Sequence, residues 1–342
     1  MVRFRTGKVP QELLQRLLTG LGRRDGRVLV GPGIGLDATV IDFGQTCLVA
    51  KTDPITFATQ DIGWYAVQVN ANDVACLGAR PRWFMATVLL PEGRADEQMA
   101  SEIFGQIESA CAEMDVSLVG GHMEITYDLP RPIVVGHMLG EVQRDRILTA
   151  AGARPGDCLV LTKGIPLEGA SIIAREKKEY LVGKGHSREL LDRVADYLRQ
   201  PGISVVREAL LAAESRGVHA LHDPTEGGLA TALHEVAAAA GVGITVEENG
   251  IPLLSEAAPL WEEFGLDPLG MIASGSLLAS VSPESAEGLV GRIREAGPAA
   301  TIIGRVTSAA DGVRIRRASG EEALPRFDSD EIAKIFQEKE GN

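Results

Sequence analysis

Leu13, Leu14, Leu17, Leu18 and Leu21 recur at helical spacing and predict an amphipathic helix over residues 11–21. Residues 27–30 begin a strand that Gly31-Pro32-Gly33 breaks. Two short apolar runs, 40–43 and 47–51, flank Gly44 and read as a hairpin. A long helix is expected from Asp61, a candidate N-cap, to Leu77, with Gly78 ending it. Residues 83–90 form a strand, and 96–114 a helix whose acidic opening suits its dipole. Strands follow at 116–119 and 133–142.

After a turn at 153–157 the pattern alternates. Strands are predicted at 159–162, 218–221, 244–246, 276–282 and 300–306, and helices at 167–176, 204–215, 228–240 and 283–296. That alternation implies a mixed α/β architecture. A chain of 342 residues exceeds one ordinary core and suggests two domains of about 150 residues. We place them at 1–150 and 151–310, followed by a tail, 311–342, with a short helix. Aromatic residues make up only 4% of the chain, so the core must rest on aliphatic side chains.

Charge and cysteine usage narrow the function. A net charge of −13 repels a phosphate backbone, and the basic stretch 175–178 is interrupted by Glu176. Nucleic acid is therefore not an expected partner. Cys47, Cys76, Cys111 and Cys158 are far apart, which supports neither a zinc cluster nor a disulfide framework. No apolar run approaches the ~18 residues of a membrane span, and the first residues lack a signal-peptide core. A cytoplasmic location without membrane contact is expected.

The chemistry concentrates in acidic loops. Gly31-Pro32-Gly33-Ile34-Gly35-Leu36-Asp37 follows a strand, but β-branched Thr39-Val40-Ile41 comes next, where a dinucleotide fold needs a helix. Thr52-Asp53 follows Lys51 at a predicted strand end. Asn72-Asp73 lies inside an apolar helix, where two short polar residues are unfavourable. Magnesium is commonly held by a few carboxylates together with substrate phosphates, a task that suits Asp37, Asp53 and Asp73. Gly120-Gly121 is expected to end a strand in a turn whose N–H groups approach a phosphate closely. His122 and Glu124 alternate beyond it and should face one side.

In order and spacing these residues resemble the AIR synthase, or PurM-like, superfamily. That family includes aminoimidazole ribonucleotide synthase, thiamine-monophosphate kinase, selenophosphate synthetase and HypE. Gly33-Ile34-Gly35-Leu36-Asp37-Ala38 is similar to the family's Gly-x-Gly-Asp-Asp-Ala loop, Thr52-Asp53 to its Thr-Asp, and Asn72-Asp73 with Gly78-Ala79-Arg80-Pro81 to its helix and exit. Gly120-Gly121-His122 is similar to its Gly-Gly turn. His222-Asp223-Pro224-Thr225-Glu226-Gly227-Gly228-Leu229 and Ile251-Pro252 resemble HypE segments.

The resemblance implies a two-domain PurM-like fold, α/β (α+β), whose N-terminal strands join a second subunit in a dimeric β-barrel. It implies ATP and Mg2+ as cofactors. Asp37, Asp53 and Asp73 would hold the metal, Gly33 and Gly35 would cover the phosphates, and Gly120 and Gly121 would line them. Lys51, Thr52, Asn72 and Asp223 join them as ligand-binding candidates, and His122, Glu124 and Lys163 as catalytic ones. Leu36 stands where the family has the first of two adjacent acids. The last cysteine is Cys158, so transfer to a cysteine on the chain's own C-terminal tail is not expected. The implied activity is ATP-dependent phosphorylation or activation of an oxygen on a small-molecule or carbamoyl-type acceptor. A nucleotide-binding maturation or regulatory protein without turnover, with a maturation-protein partner, is the alternative; a thiamine-monophosphate kinase is a third.

Overall fold

The computed structural model describes residues 9, 11–19, 21, 25–33, 35–36, 38–56 and 60–337. Its first elements are α1 (Gln11–Thr19), β1 (Val28–Val30), β2 (Thr39–Asp42), β3 (Thr46–Ile55), α2 (Ile62–Cys76), β4 (Arg80–Pro91), α3 (Glu97–Glu113), β5 (Ser117–Thr126) and β6 (Ile133–Gln143). Two compact units divide the chain. The N-terminal unit holds Gly22–Pro32 and Leu36–Ile147; the C-terminal unit holds Leu148–Asn342 with Met1–Leu21 and Gly33–Gly35.

In the N-terminal unit six strands pair in the order β1-β2-β3-β6-β4-β5. Only β4 and β5 run parallel, as the crossover through α3 requires. Within α2, Val69 alone is not buried. A helix apolar nearly all round must be enclosed, and α2 packs on β3, β6 and β4 and against α3. Gly63 makes the helix contact close: a Cβ there would sit 2.5 Å from the Ile103 carbonyl oxygen. Asp96 caps α3 by accepting from the Met99 N–H at 2.8 Å. Asp61 occupies the N-cap position of α2 in a left-handed conformation (φ 57) and makes no side-chain cap.

Two strands run further than their hydrophobic pattern predicts. β3 continues through Thr52-Asp53 to Ile55, so Asp53 lies within a strand, paired with Gly136, and not at its end. β5 continues through Gly120-Gly121 to Thr126, which replaces the expected turn. The physical reason is close packing between strands: a Cβ on Gly121 would meet the Ala86 carbonyl oxygen at 2.3 Å. The glycine allows the ladder to continue where a side chain would part it.

The C-terminal unit follows with β7 (Cys158–Thr162), α4 (Leu167–Glu176), α5 (Lys178–Gly183), α6 (Arg188–Ala195), α7 (Val206–Ala213), β8 (Val218–His222), α8 (Gly228–Ala240) and β9 (Gly243–Glu247). Then come α9 (Ala258–Glu262), β10 (Leu278–Val281), α10 (Pro283–Glu295), β11 (Ala300–Thr307), β12 (Val313–Arg317), β13 (Gly320–Ala323) and α11 (Lys334–Gln337). Its seven strands are ordered β13-β12-β9-β11-β7-β10-β8, with only β9 and β12 parallel. β7 and β10, both buried along their whole length, form the middle of the core. Residues beyond 310, read above as a tail, supply the hairpin β12–β13, and Ile332 and Ile335 pack into a core cluster with Ile173, Leu191 and Trp261.

Lys163, directly after β7, is buried in a left-handed conformation (φ 57). Its ammonium donates to the carbonyls of Gly202 and Ser204 and pairs with Glu208 at 2.9 Å. Three donors thus have three acceptors inside the unit, and burial lowers the lysine pKa against the pull of Glu208. Replacing one partner of such a pair strands the other charge. Lys163→Met is expected to lower the unfolding free energy by about 3–5 kcal/mol in urea denaturation, and the added change Glu208→Gln to recover part of it.

Candidate functional site

Alternation along β3 decides which side chains meet α2. Cys47, Val49 and Ile55 are buried on the helix-covered face, and Lys51 and Asp53 share their parity. From α2, one turn apart, Asn70 and Asp73 face them. The Lys51 ammonium lies 2.9 Å from Asp73 Oδ2 and 3.8 Å from Asp53 Oδ2. Asp73 is 5% exposed and Lys51 13%, while Asp53 remains 40% exposed, so the cluster has a closed end and an open one. The Asn70 amide donates to the Asp53 carbonyl at 3.3 Å and the Ala66 carbonyl at 2.8 Å, fixing strand against helix. It fits only because Gly136 lies beneath: a Cβ there would come within 2.3 Å of the amide nitrogen.

The same register separates other candidates from this cluster. Asp53, Gly136, Ala86 and Gly121 lie in one row across β3, β6, β4 and β5, on the helix face. The next row is Pro54, Val135, Thr87 and His122, on the opposite face. Glu124 shares that face with His122, 3.2 Å away, as their alternation predicts. Thr52 is also on it. Lys51, Asp53 and Asp73 therefore come together, and His122, Glu124 and Thr52 lie across the sheet from them. Asn72 is buried within α2. Asp37 and Ile34 lie outside the described residues.

The C-terminal unit carries candidates of its own. Gly35 (φ 69) packs against α8, where a Cβ would lie 3.1 Å from the Glu235 carbonyl oxygen. Asp223 is buried just after β8, beside His222, whose ring contacts Glu235 at 3.0 Å. The loop then enters α8 through two left-handed glycines, Gly227 (φ 77) and Gly228 (φ 64). Asp330, which the sequence reading missed, holds this loop by accepting from the N–H groups of Gly227 (2.7 Å) and Ile272 (3.2 Å). Glu168, also missed, is buried at the start of α4. Its only sequence signal was a carboxylate among the small residues Gly169 and Ala170; Asp330 showed only the form of an N-cap.

Magnesium can be tested against the described residues. No group of three His, Cys, Asp or Glu among them is arranged to hold a metal ion. Where two carboxylates do converge, Asp53 and Asp73, the Lys51 ammonium is already between them. Among the described residues the donor set does not fit an ion held by protein ligands alone.

Comparison with known proteins agrees with this organisation. Residues 35–142 match the AIR synthase related protein N-terminal domain, and residues 154–316 its C-terminal domain. The chain belongs to the AIR synthase-related family. Within it, the HypE-like branch is indicated by the carbamoyl dehydratase HypE of Rhodobacter capsulatus, 30% identical over 92% of this chain and 91% of that protein. A crystal structure of hydrogenase maturation protein HypE in complex with ATP superposes with a TM-score of 0.70 at 25% identity, covering 93% of this chain and 91% of its own. A ThiL structure complexed with AMPPCP and TMP reaches the same TM-score at 21% identity, covering 92% and 94%, and shows the shared two-domain PurM-like fold. Among the described residues no helix is long and apolar enough to cross a membrane.

Glu168 yields a pH prediction. Burial pushes its carboxyl up to about 7 from an ordinary 4.5, opposed by a hydrogen bond from Ser274 and reinforced by Asp330 and Glu226. A raised folded pKa means that the native state holds its proton while the unfolded chain has released it. Stability should therefore fall as pH rises from about 4.5 to about 7, by on the order of 3 kcal/mol at most, and then level off. Glu168→Gln should flatten that part of the urea-midpoint profile; an unchanged slope would contradict the assignment.

Proposed function

We propose that the chain binds ATP at the Lys51–Asp53–Asp73 cluster and uses it to phosphorylate or activate an oxygen on a separate acceptor, of small-molecule or carbamoyl type. The observation that carries this is the cluster itself: a partly open group of one ammonium and two carboxylates, between the strand and helix that bear the family's Thr-Asp and Asn-Asp residues. The HypE structure with bound ATP supports the nucleotide, and the carbamoyl dehydratase relative supports the acceptor class.

Phosphoryl chemistry of this kind is largely positioning and charge neutralisation. Lys51 would neutralise phosphate oxygens, and Asp53, at the exposed end, would face the solvent side of the triphosphate. Magnesium would arrive on the phosphates. In the C-terminal unit Asp223 remains a ligand-binding candidate, while Lys163, with its donors engaged, is better read as a structural tie. The acceptor is taken to be separate because Cys47, Cys76, Cys111 and Cys158 are all buried, and burial raises the Cys111 thiol to about 12. A thiol held that way is a poor nucleophile.

Lys51 and Leu36 favour a second reading, nucleotide binding without turnover, as in a maturation or regulatory protein. Calorimetry with ATP and magnesium addresses both. Wild-type chain should bind, and Asp73→Asn should weaken binding by about tenfold or more, which is about 1.4 kcal/mol. Absence of binding to the wild type would sink the proposal, and binding without phosphate release in the presence of carbamoyl-type acceptors would favour the second reading.

We also read the open face of the N-terminal sheet as a homodimer surface. Met85, Leu89, Ile133, Val135 and Leu139 are half-buried there, and the edge strand β5 is exposed along nearly its whole length. A mixed sheet with an apolar open face and an exposed edge strand needs a covering partner. Sedimentation at micromolar concentration should give twice the 36.3 kDa chain mass, and a monomer would count against it.

A further inference from the structure

Among the described residues, the place where Asp53 and Asp73 converge is occupied by the Lys51 ammonium. We infer that Lys51 is a resident cation of the nucleotide site, doing the charge-neutralising work that a second divalent ion would otherwise do. The inference rests on the nucleotide reading above and goes beyond it by assigning how the site balances charge.

Three observations carry it. Lys51 is not a solvated surface lysine: it is 13% exposed, and its ammonium lies 2.9 Å from a carboxylate that is itself only 5% exposed. Second, that carboxylate and Asp53 are the acids that the helix and strand direct to one point, and the ammonium contacts both. The position that two acids would offer to a metal is thus filled by a tethered cation. Third, Leu36 contributes a neutral side chain where the family's glycine loop has an acid. A lysine at the cluster and a neutral residue in the loop act on the local charge in the same direction, making the site less able to collect divalent ions and less repulsive to phosphate. A lysine suits the exchange, because its ammonium is a compact charge on a flexible four-carbon stem that can turn from carboxylate to phosphate without leaving the site.

The consequence is a nucleotide affinity with reduced dependence on magnesium. Calorimetric titrations of a non-hydrolysable ATP analogue would be run with magnesium and with EDTA, on wild type, Lys51→Arg and Lys51→Ser. Circular dichroism melting would check that each is folded. For wild type and Lys51→Arg, removing magnesium is expected to weaken binding by no more than about tenfold; for Lys51→Ser the loss should be about a hundredfold or more. Equal losses in wild type and Lys51→Ser, with normal binding in magnesium, would overturn the role of Lys51 alone. No binding to any of the folded proteins in magnesium would overturn the nucleotide reading and this inference with it.

Discussion

One buried ion pair organises the N-terminal unit: Lys51 on β3 with Asp73 on α2, 2.9 Å apart. A helix as enclosed as α2 can carry an aspartate only if its charge is met, because an isolated carboxylate in such surroundings would give up its proton or unfold the site. β3 meets it by placing Lys51 on the helix-covered face. Period-two geometry then brings Asp53 to the same face, and the Asn70 bridge to the Asp53 carbonyl sets the separation of strand and helix. Gly136 follows from the same packing, since no other residue leaves room for that amide.

The sheet thereby acquires two chemically distinct faces. One holds the charged cluster beneath a helix layer. The other carries half-buried aliphatic side chains, with His122 and Glu124 at the edge strand. A register slip of one residue would exchange them, which is why the glycines at 121, 136 and 140 matter. Each stands where a Cβ would be driven into a neighbouring carbonyl or side chain. In the C-terminal unit the comparable constraint is Asp330, whose carboxylate ties the glycine entrance of α8 to the segment following α9.

Much of this was legible in the sequence. The Thr52-Asp53 and Asn72-Asp73 pairs, the alternation of His122 and Glu124 and the mixed α/β pattern all came from local spacing. What local spacing cannot supply is register between distant strands. Gly120-Gly121 reads as a turn until β4 is known to lie alongside it, and His122 reads as a neighbour of the acids until the register puts it on the other face. Lys51 reads as a ligand-binding candidate from its place before Thr52-Asp53, but its contact with Asp73 joins residues 22 positions apart and depends on how helix and strand pack. Glu168 and Asp330 belong to no motif; Glu168 matters through its burial, and Asp330 through backbone groups more than 50 residues away.

The most direct test is a crystal structure of the chain with magnesium and a non-hydrolysable ATP analogue. The phosphates should lie on the helix-covered face of the N-terminal sheet, with the Lys51 ammonium turned to hydrogen-bond a phosphate oxygen beside Asp53. An ordered nucleotide with its phosphates against His122 and Glu124 on the opposite face, and Lys51 still held by Asp73, would contradict the account.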